Sequence, residues 1–414
     1  MMEKRRVVIT GMGAVTPLGH TVSETWEAAR AGVCGIAPIT LYDASSQKVS
    51  LAAEVKNFDP TKVLDKKEVR RMDRFSQFAM YAAAEAMADS GLDLEQEDTA
   101  RIGVCVSSGV GGMQTFQNSC EVGESRGFDK VSPFFIPMII ANLAAGRIAI
   151  RYGLHGMCTC PVTACAGGSN AVGDAFHYIR DGYADAMVSG GAEATITSLA
   201  IGGFTSMSAL TTAADPKRAS IPFDKERSGF VMGEGAGILV LEELEHAKAR
   251  GAKIYGEITG YGANCDAHHI TAPDPTGAWP AACIQMALDD AGIAKEQVDY
   301  VNAHGTSTPL NDSGETAAIR KVFGEHAGKL MVSSTKSMTG HLLGASGAVE
   351  AMFSVMALKD GFVPATINYQ VPDPACDLDI VPNQGREADI KYAISDSLGF
   401  GGHNACLVFH KWEG

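Results

Sequence analysis

Residues 9–14 read Ile-Thr-Gly-Met-Gly-Ala, and residues 258–263 repeat them as Ile-Thr-Gly-Tyr-Gly-Ala with one substitution. Each copy follows a run of residues typical of a β-strand, at 6–9 and at 253–258. We therefore interpret each copy as a strand that ends in a glycine turn. A repeat of this kind indicates that the fold is duplicated.

The elements that follow the two copies occur in the same order. Alanine-rich helices are predicted at 78–91 and 280–292, and a glycine that suits a helix C-cap closes each of them. Six-residue matches also arise by chance in glycine-rich chains, but a shared order of four elements favours duplication. Strands that alternate with helices predict βαβ units and buried, largely parallel sheets. The other predicted pairs are strands at 102–106 and 300–303 and helices at 171–180 and 348–359.

The two halves are expected to join near Gly251. A charged helix is predicted at 242–250, and no proline-rich or serine-rich linker follows it. We therefore predict an N-terminal half at 1–251 and a C-terminal half at 252–414, packed into one body.

Composition excludes several classes of protein. The 414 residues are 46% hydrophobic and 20% charged, which is typical of a globular chain with a large core. The 34 basic and 48 acidic residues give a net charge of −14, which argues against nucleic-acid binding. No apolar run approaches the roughly 20 residues of a membrane helix, and the N-terminal run is too short for a signal peptide. We expect a cytoplasmic protein with no membrane insertion.

The chain contains ten cysteines. In a reducing cytoplasm they are expected to be free thiols, most of them small buried side chains. Cys158, Cys160 and Cys165 are close in sequence and suggest a metal site. Zinc sites usually take two spaced pairs of ligands, and no second pair lies nearby, so no metal is predicted.

Cys165 lies at the start of a predicted helix. Small residues surround it in Pro-Val-Thr-Ala-Cys-Ala-Gly-Gly-Ser-Asn, residues 161–170. The positive end of a helix dipole favours a thiolate, and backbone N–H groups at such a turn can form an oxyanion hole. A buried structural thiol is the alternative, and this segment alone does not decide between the two.

Two histidines change that balance. His304 ends a predicted strand in Asn-Ala-His-Gly-Thr-Ser-Thr, and His341 ends the run Ser-Ser-Thr-Lys-Ser-Met-Thr-Gly-His at 333–341. Sites in α/β sheets assemble at the carboxyl ends of strands, so a cysteine nucleophile with two acid–base partners is predicted. Four further histidines are expected to be structural or on the surface: His155, His177, His246 and His326.

These motifs, together with Gly-Phe-Gly-Gly-His-Asn at 399–404, resemble those of the elongating β-ketoacyl–acyl carrier protein synthases, usually called synthase II. The resemblance covers essentially the whole chain. It implies an α/β thiolase-like fold, a duplicated five-layered αβαβα body with mixed, largely parallel sheets. That implication agrees with the internal repeat.

The resemblance also implies a reaction. Cys165 would hold an acyl chain as a thioester, and His304 and His341 would polarise a malonyl thioester and assist its decarboxylation. The carbanion would attack the acyl group and give a 3-oxoacyl chain two carbons longer, as in fatty acid elongation. Lys336 and Glu350 match positions that give electrostatic and structural support.

Further residues match family positions around the substrate. Phe400 would act as a gate between the acyl and malonyl pockets, and its N–H group and that of Cys165 would form the oxyanion hole. His403 stands where other members have threonine and is not expected to be a third catalytic histidine. Thr306 and Thr308 would hydrogen-bond the phosphopantetheine arm, and Val110 and Phe204 would line the acyl pocket.

The implied partner is an acyl carrier protein, which is itself acidic. A basic face could dock it, since Lys67, Arg70, Arg71 and Arg74 follow the i, i+3, i+4, i+7 spacing of one helix face. The alternative is a solvated basic face with no partner. The resemblance also implies a homodimer and no cofactor other than the carrier-bound phosphopantetheine.

Three other functions remain open from the sequence. A thiolase-like enzyme acting on coenzyme A would use a second cysteine as base, and the C-terminal loop offers only Gly-His-Asn-Ala-Cys406. A polyketide-type synthase shares the motifs. A non-catalytic subunit resembling a chain-length factor would lack the nucleophile, so Cys165 argues against it.

Overall fold

The computed structural model describes residues 4–414, and ten of its strands form one mixed sheet. Two pairs of two-residue strands lie apart from it. The strands are β1 Val7–Val15, β2 Ala37–Pro38, β3 Leu51–Ala52, β4 Ile102–Ser107, β5 Cys158–Thr159, β6 Ala186–Glu193, β7 Gly235–Glu243, β8 Gly256–Cys265, β9 Tyr300–Asn302, β10 Met331–Ser333, β11 Phe362–Val363, β12 Arg386–Glu387, β13 Tyr392–Gly399 and β14 His403–Lys411.

Helices cover both faces of this sheet. Among residues 4–414, none of them combines the length and the apolar character that crossing a membrane requires. The helices are α1 Val22–Arg30, α2 Lys66–Val69, α3 Arg74–Ser90, α4 Met113–Arg126, α5 Phe135–Ile139, α6 Leu143–Tyr152, α7 Gly167–Arg180, α8 Ser198–Ser206, α9 Pro216–Ala219, α10 Leu244–Ala249, α11 Ala278–Ala291, α12 Pro309–Phe323, α13 Lys336–Thr339 and α14 Ser346–Asp360.

The sheet has the internal symmetry of a duplicated fold. Its strand order is β10-β9-β13-β14-β8 for the second half, continued by β1-β7-β6-β4-β5 for the first. From its edge to the centre, each half has two parallel pairings followed by two antiparallel ones. The halves meet at the centre, where β1 pairs antiparallel with β8. The duplication predicted from residues 9–14 and 258–263 is confirmed.

Two helices form a layer between the halves of the sheet. Helix α7 contacts strands of both halves, and so does α14, while α3 and α11 pack on the outer faces. Gly168 and Gly347 let α7 and α14 meet at their first turns, because a Cβ on Gly168 would lie 2.7 Å from the backbone N of Ala348. The residues that precede these two helices are thereby brought close together.

The repeated glycines do not form turns, as the sequence had suggested. Gly11 and Gly13 lie inside β1, and their counterparts Gly260 and Gly262 lie inside β8. A Cβ on Gly13 would come within 1.9 Å of a carbonyl oxygen of α3, and one on Gly262 within 2.3 Å of a carbonyl oxygen of α11. The glycines therefore allow a helix backbone to pack directly on each strand.

Strand pairing corrects the expectation of βαβ units with largely parallel sheets. Five of the nine pairings in the large sheet are antiparallel and four are parallel, so parallel strands do not dominate. Strands β13 and β14 form an antiparallel hairpin that a βαβ interpretation cannot anticipate.

The helix expected at 242–250 is shorter, because Glu242 and Glu243 end β7 and Glu243 caps α10. The predicted glycine C-caps are confirmed at Gly91 and Gly292, with φ of 61° and 67°.

Candidate active site

One cavity of about 390 Å³ opens at the carboxyl ends of β9 and β13 and at the starts of α7 and α14. The structure brings Cys165, His304 and His341 together in its wall, although they come from three separate segments. Six further predicted or neighbouring residues line it: Phe204, Phe230, Thr306, Thr308, Phe400 and Asn404.

Cys165 sits in a single 3₁₀ turn, Ala164–Ala166, that leads into α7. Ala164 has a φ of 51°, a conformation that non-glycine residues seldom adopt. Gly399 lies behind the turn, where a Cβ would come within 2.7 Å of the Thr163 carbonyl oxygen. The backbone N–H groups of Phe400 and of Cys165 itself lie near the thiol sulfur and act to lower its pKa. These are the two N–H groups that are predicted to form an oxyanion hole for a Cys165 thioester.

The thiol is buried, with 8% of its residue surface exposed. Burial raises the pKa of Cys165 to about 12, while the positive charge of Lys336 and the two N–H groups offset only part of that rise. The expected bias toward a thiolate is therefore wrong for the free protein, because desolvation outweighs the helix-start effect. The raised pKa means that the Cys165 thiol is protonated at neutral pH in the free protein.

Alkylation of Cys165 should report this directly. We expect the rate with iodoacetamide to rise about tenfold per pH unit from about pH 7 to 9, because only the thiolate reacts and its fraction grows tenfold per unit below the pKa. Peptide mass spectrometry of samples alkylated at a series of pH values would measure the fraction of Cys165 that is modified, with Cys165→Ala as the blank. A plateau below about pH 8 would contradict the raised pKa.

His304 is held by its backbone and by its ring. The N–H groups of His304 and Gly305 donate to the Glu315 carboxylate over 2.6 and 2.8 Å. The ring Nδ1 lies 3.4 Å from Lys336 Nζ, and a lysine ammonium can only donate. Nδ1 is therefore the acceptor, and the neutral ring carries its proton on Nε2.

Lys336 and Glu350 form a buried ion pair behind this histidine. Only 1% of Lys336 and 3% of Glu350 is exposed, and Nζ bonds directly to Oε1. Burial raises the pKa of Glu350, and the Lys336 charge opposes that rise. Because removing one partner would leave a buried charge uncompensated, the pair fixes α13 against α14 and keeps Lys336 aimed at His304.

His341 precedes the 3₁₀ turn that opens α14, and its ring packs against that of His304 with 5.3 Å between centroids. Its Nδ1 lies 2.9 Å from Ser346 Oγ. Burial and the nearby Lys336 charge lower the pKa of both imidazoles well below the usual histidine range. Both rings are therefore neutral at neutral pH and can donate Nε2–H groups without carrying charge.

Three phenylalanines form an aromatic part of the cavity wall. Phe204 lies between two other phenylalanines, 6.3 Å from Phe400 and 5.6 Å from Phe230 between ring centroids. Val110, predicted to line the same pocket, does not reach this cavity and is 38% exposed. Its backbone N–H is tied to Glu193, so the loop that carries it follows β4 rather than the cavity wall.

Hydroxyl groups line the mouth. Thr306 and Thr308 lie on one side of the cavity with their Oγ1 atoms 3.0 Å apart. Ser307 between them turns away, has a φ of 68°, and accepts a hydrogen bond from Ile221 N–H. The alternating direction leaves both threonines available to a polar, extended ligand arm.

The prediction that four basic residues share one helix face is wrong. Helix α2 ends at Val69, and Asp73 caps a new helix that begins at Arg74. Arg74 pairs with Glu234 over 2.7 Å and packs on Phe78 at 4.6 Å from the ring centroid. These contacts hold the Arg74 side chain against the fold. Because the chain turns between the two helices, Arg74 does not share a helix face with Lys67 and Arg70. Three basic residues of this segment remain exposed: Lys66, Lys67 and Arg70.

The remaining cysteines and histidines that the sequence singled out lie outside the cavity. Among residues 4–414, no three His, Cys, Asp or Glu side chains are grouped so that they could hold a metal ion. Four histidines make other contacts: His155 with Thr99, His177 with Asp290, His246 with Glu242 and His326 with the Val298 carbonyl. His403 pairs across the sheet with Cys265.

Sequence reasoning missed the buried carboxylates around the site. Glu193 accepts hydrogen bonds from the loop after β4 and from Gly344 N–H, and burial raises its pKa to about 7. Glu315 and Asp396 lie close together, and burial raises the pKa of both, that of Asp396 to about 6. Glu193 ends a fully buried strand, and an acidic residue at the end of an apolar run was the available signal.

The fold and the site together define a thiolase-like condensing enzyme, with a cysteine thiol and two neutral imidazoles in one cavity between duplicated halves. Residues 4–247 match the family described as beta-ketoacyl synthase, N-terminal domain, and residues 255–370 match its C-terminal domain. The chain belongs to the β-ketoacyl synthase family.

Relatives and solved structures agree with that assignment. The chain is 54% identical to a 3-oxoacyl-[acyl-carrier-protein] synthase 2 of Staphylococcus aureus, with all of both chains covered. It is 52% identical to the protein of the same name from Synechocystis sp., over 100% of this chain and 99% of the relative. The ishigamide ketosynthase/chain length factor superposes with a TM-score of 0.93 at 37% identity, covering 99% and 100% of the two chains. These comparisons confirm the thiolase-like fold class.

A second solved structure includes a carrier protein. It is a type II polyketide synthase acyl-carrier protein in complex with its ketosynthase, bound to the hexaketide. The match has a TM-score of 0.91 at 36% identity and covers 99% of this chain and 100% of that one.

Proposed function

We propose that this chain catalyses the decarboxylating Claisen condensation of an acyl group on Cys165 with malonyl–acyl carrier protein. The observation that carries the proposal is the convergence of Cys165, His304 and His341 on one cavity with a hydroxyl-lined mouth. The product is a 3-oxoacyl–acyl carrier protein two carbons longer than the acyl donor, with carbon dioxide and the free carrier thiol as by-products.

The first half-reaction is acyl transfer. The Cys165 sulfur attacks the thioester carbonyl of the acyl donor, and the carbon–sulfur bond to the carrier breaks. The proton of Cys165 goes, in net terms, to the departing thiolate. Negative charge on the carbonyl oxygen is met by the N–H groups of Cys165 and Phe400, which lie near the sulfur.

The second half-reaction removes carbon dioxide from the malonyl thioester and forms the new bond. Neutral His304 and His341 donate Nε2–H to the thioester oxygen, where the enolate charge develops. Lys336 holds the His304 ring in the tautomer that does this. The enolate carbon attacks the acyl-Cys165 carbonyl, the bond from the carbonyl carbon to sulfur breaks, and the released Cys165 thiolate takes up a proton from water.

Fatty acid elongation is favoured over polyketide synthesis by the degree of similarity. The relatives named 3-oxoacyl-[acyl-carrier-protein] synthase 2 are 52 to 54% identical over essentially whole chains. The ketosynthase of the type II polyketide synthase complex is 36% identical, and the ishigamide ketosynthase/chain length factor is 37% identical. The ketosynthase structures share the fold with TM-scores of 0.91 and 0.93, so the preference for fatty acid elongation rests on sequence identity.

A coenzyme A thiolase is the less favoured alternative. Such an enzyme would need a second cysteine beside the nucleophile, and among the described residues that line the cavity Cys165 is the one cysteine. Cys406 is fully buried in β14, where it pairs across the sheet with Gly262 and Asp396. The presence of Cys165 in the cavity also argues against a non-catalytic subunit.

The mouth of the cavity suits a phosphopantetheine arm. Thr306 and Thr308 supply hydroxyl groups for its amides, and Phe400 stands between that arm and the acyl side of the cavity marked by Phe204. Because the reacting groups arrive on the carrier's own phosphopantetheine, the proposed reaction uses no cofactor held by this chain.

The proposed dock for the carrier protein is a basic patch built from two helices. Arg147 and Arg151 of α6 donate to the carbonyl oxygens of Arg71 and Val63, so α6 lies against the α2 segment. A net charge of −14 elsewhere does not prevent docking, because recognition depends on the local potential. The patch comprises Lys66, Lys67, Arg70, Arg71, Arg147 and Arg151.

A homodimer is proposed from two exposed features on the same half. Strand β5, Cys158–Thr159, is an exposed edge of the large sheet and can pair with another strand. Exposed apolar side chains also project from the segment around α4 and α5, at Phe116, Phe128 and Ile136. Apolar surface of this kind favours a protein interface.

The proposed function is tested with purified protein, an acyl carrier donor and malonyl carried either on acyl carrier protein or on coenzyme A. We expect 3-oxoacyl product, detected by mass spectrometry, with malonyl–carrier strongly preferred. Reversing the exposed charges in Lys67→Glu/Arg70→Glu should raise KM about tenfold for carrier substrates and leave the coenzyme A thioester unaffected. Condensation of two acetyl-coenzyme A molecules without loss of carbon dioxide would instead support a thiolase.

The matched control for the charge reversal is Lys391→Glu. Lys391 is exposed and precedes β13, so it lies at the end of that strand opposite Phe400. It should change neither KM. This variant reverses one charge where the double variant reverses two. A rise of about threefold in its carrier KM would therefore show that net charge, rather than the patch, governs carrier binding.

A further inference from the structure

Ser346 is the first residue of α14, and 2% of its surface is exposed. Its Oγ atom lies 2.9 Å from Nδ1 of His341 and accepts a hydrogen bond from Leu342 N–H, also over 2.9 Å. No other residue of the described chain bonds to the His341 ring nitrogens within hydrogen-bond distance. Ser346 is therefore the ring's polar neighbour on the side away from the substrate.

The hydroxyl's partners define the direction of its own proton. A serine hydroxyl has one proton to donate and can accept further hydrogen bonds. Leu342 N–H donates to Oγ, and among the described residues His341 Nδ1 is the one recorded partner that could accept the serine proton. If Nδ1 donated instead, the buried serine proton would have no acceptor, so the serine proton points at Nδ1. Nδ1 then accepts, and the neutral ring carries its proton on Nε2, toward the cavity.

The backbone of His341 is fixed independently of this contact. Its N–H donates to the Val231 carbonyl and its own carbonyl accepts from Gly233 N–H, both over 2.8 Å. The ring also packs against Phe230 with 5.1 Å between centroids. Apolar packing restrains the plane of an imidazole but does not distinguish its two tautomers, so the tautomer depends on the polar contact.

We propose that Ser346 is a positioning residue that holds His341 in its Nε2–H tautomer for the decarboxylation step. The inference rests on the proposed function, since it concerns how one of its two imidazoles donates to the malonyl thioester. It gives His341 a counterpart to the Lys336 contact of His304: an ammonium fixes one ring and a hydroxyl fixes the other.

The two half-reactions separate this role from a general effect on folding. Ser346→Ala should lower the rate of carbon dioxide release from malonyl–carrier protein about tenfold, the typical cost of losing an outer hydrogen-bond partner of a functional histidine. Acyl transfer to Cys165, measured by intact-protein mass spectrometry, should stay at the wild-type rate because it does not use Nε2–H of His341. Ser346→Thr keeps the hydroxyl and should recover most of the lost rate.

Ser90→Ala is the matched control. Ser90 is buried in α3, donates to the Met87 carbonyl and accepts from Leu92 N–H, so it loses the same kind of contacts far from the cavity. It should leave both half-reactions unchanged. ¹⁵N chemical shifts of the His341 ring would add a direct readout, with a protonated Nε2 in the wild type and a mixture of tautomers in Ser346→Ala.

Each outcome decides the proposal. Equal rates of carbon dioxide release in wild type and Ser346→Ala would overturn it while leaving the proposed function intact. Parallel loss of both half-reactions with a lower melting temperature would assign Ser346 to the fold and would also overturn it. A wild-type protein that forms no carbon dioxide from malonyl–carrier protein would contradict the proposed function, and the inference with it.

Discussion

Cys165→Ala should form no acyl-enzyme and lose condensation by about a thousandfold or more, the scale seen when an enzyme loses its nucleophile. The physical reason is that no other thiol of the cavity wall can take its place. Incubation with an acyl–carrier substrate should add the mass of one acyl group to the wild-type protein and nothing to the variant. Intact-protein mass spectrometry makes the measurement.

The same variant should keep the other half-reaction. Alanine at 165 leaves His304, His341 and Lys336 in place, so carbon dioxide release from malonyl–carrier protein should continue. Cys160→Ala is the matched control, since Cys160 lies in the same segment but outside the cavity, and it should acylate normally. Undiminished condensation by Cys165→Ala would refute the assignment of the nucleophile.

The duplicated fold could be predicted because its signal is a repeat and requires no knowledge of packing. The meaning of the repeated glycines could not, because it depends on the distance between β1 and a helix some 60 residues later in the chain. In the sequence, a strand glycine against which a helix backbone packs cannot be distinguished from a glycine in a turn. Only the 1.9 Å approach at Gly13 distinguishes the two.

Only part of the candidate site could likewise be predicted from the sequence. Cys165, His304 and His341 stand in short motifs, each at the boundary of an element, and the carboxyl ends of strands bring such positions together. Arg74 does not share a helix face with Lys67 and Arg70, because helical spacing does not reveal that a new helix begins after Asp73. The place of Val110 in the acyl pocket stays a prediction, since Val110 does not line this cavity. Arg74 belongs to an ion pair with Glu234, which lies far from it in sequence.

The pKa of Cys165 shows the same limit for chemistry. Its position before α7 predicts a lowered pKa, and position in sequence is all that the dipole argument needs. Burial reverses that sign, and burial depends on the walls that α8, the β13–β14 hairpin and α14 build around the thiol. Desolvation is a property of the assembled fold and has no local signature.

His304→Ala should show the opposite pattern to Cys165→Ala. Carbon dioxide release from malonyl–carrier protein should fall about a thousandfold, because the enolate loses a neutral N–H donor that comes from a buried side chain. The acyl-enzyme should still form on Cys165, whose oxyanion donors are the backbone groups of Cys165 and Phe400. Release of labelled carbon dioxide and intact-protein mass are the two measurements.

A double dissociation of this kind is stronger evidence than either loss alone. A misfolded variant would lose both half-reactions, whereas two variants that each lose a different one must both retain the fold. His326→Ala is the control for His304→Ala: it lies in the same half, its Nε2 bonds to the Val298 carbonyl, and it does not line the cavity. If His304→Ala lost the acyl-enzyme as well while keeping the wild-type melting temperature, His304 would have to serve the thiol, and the division of labour proposed for the two steps would fail.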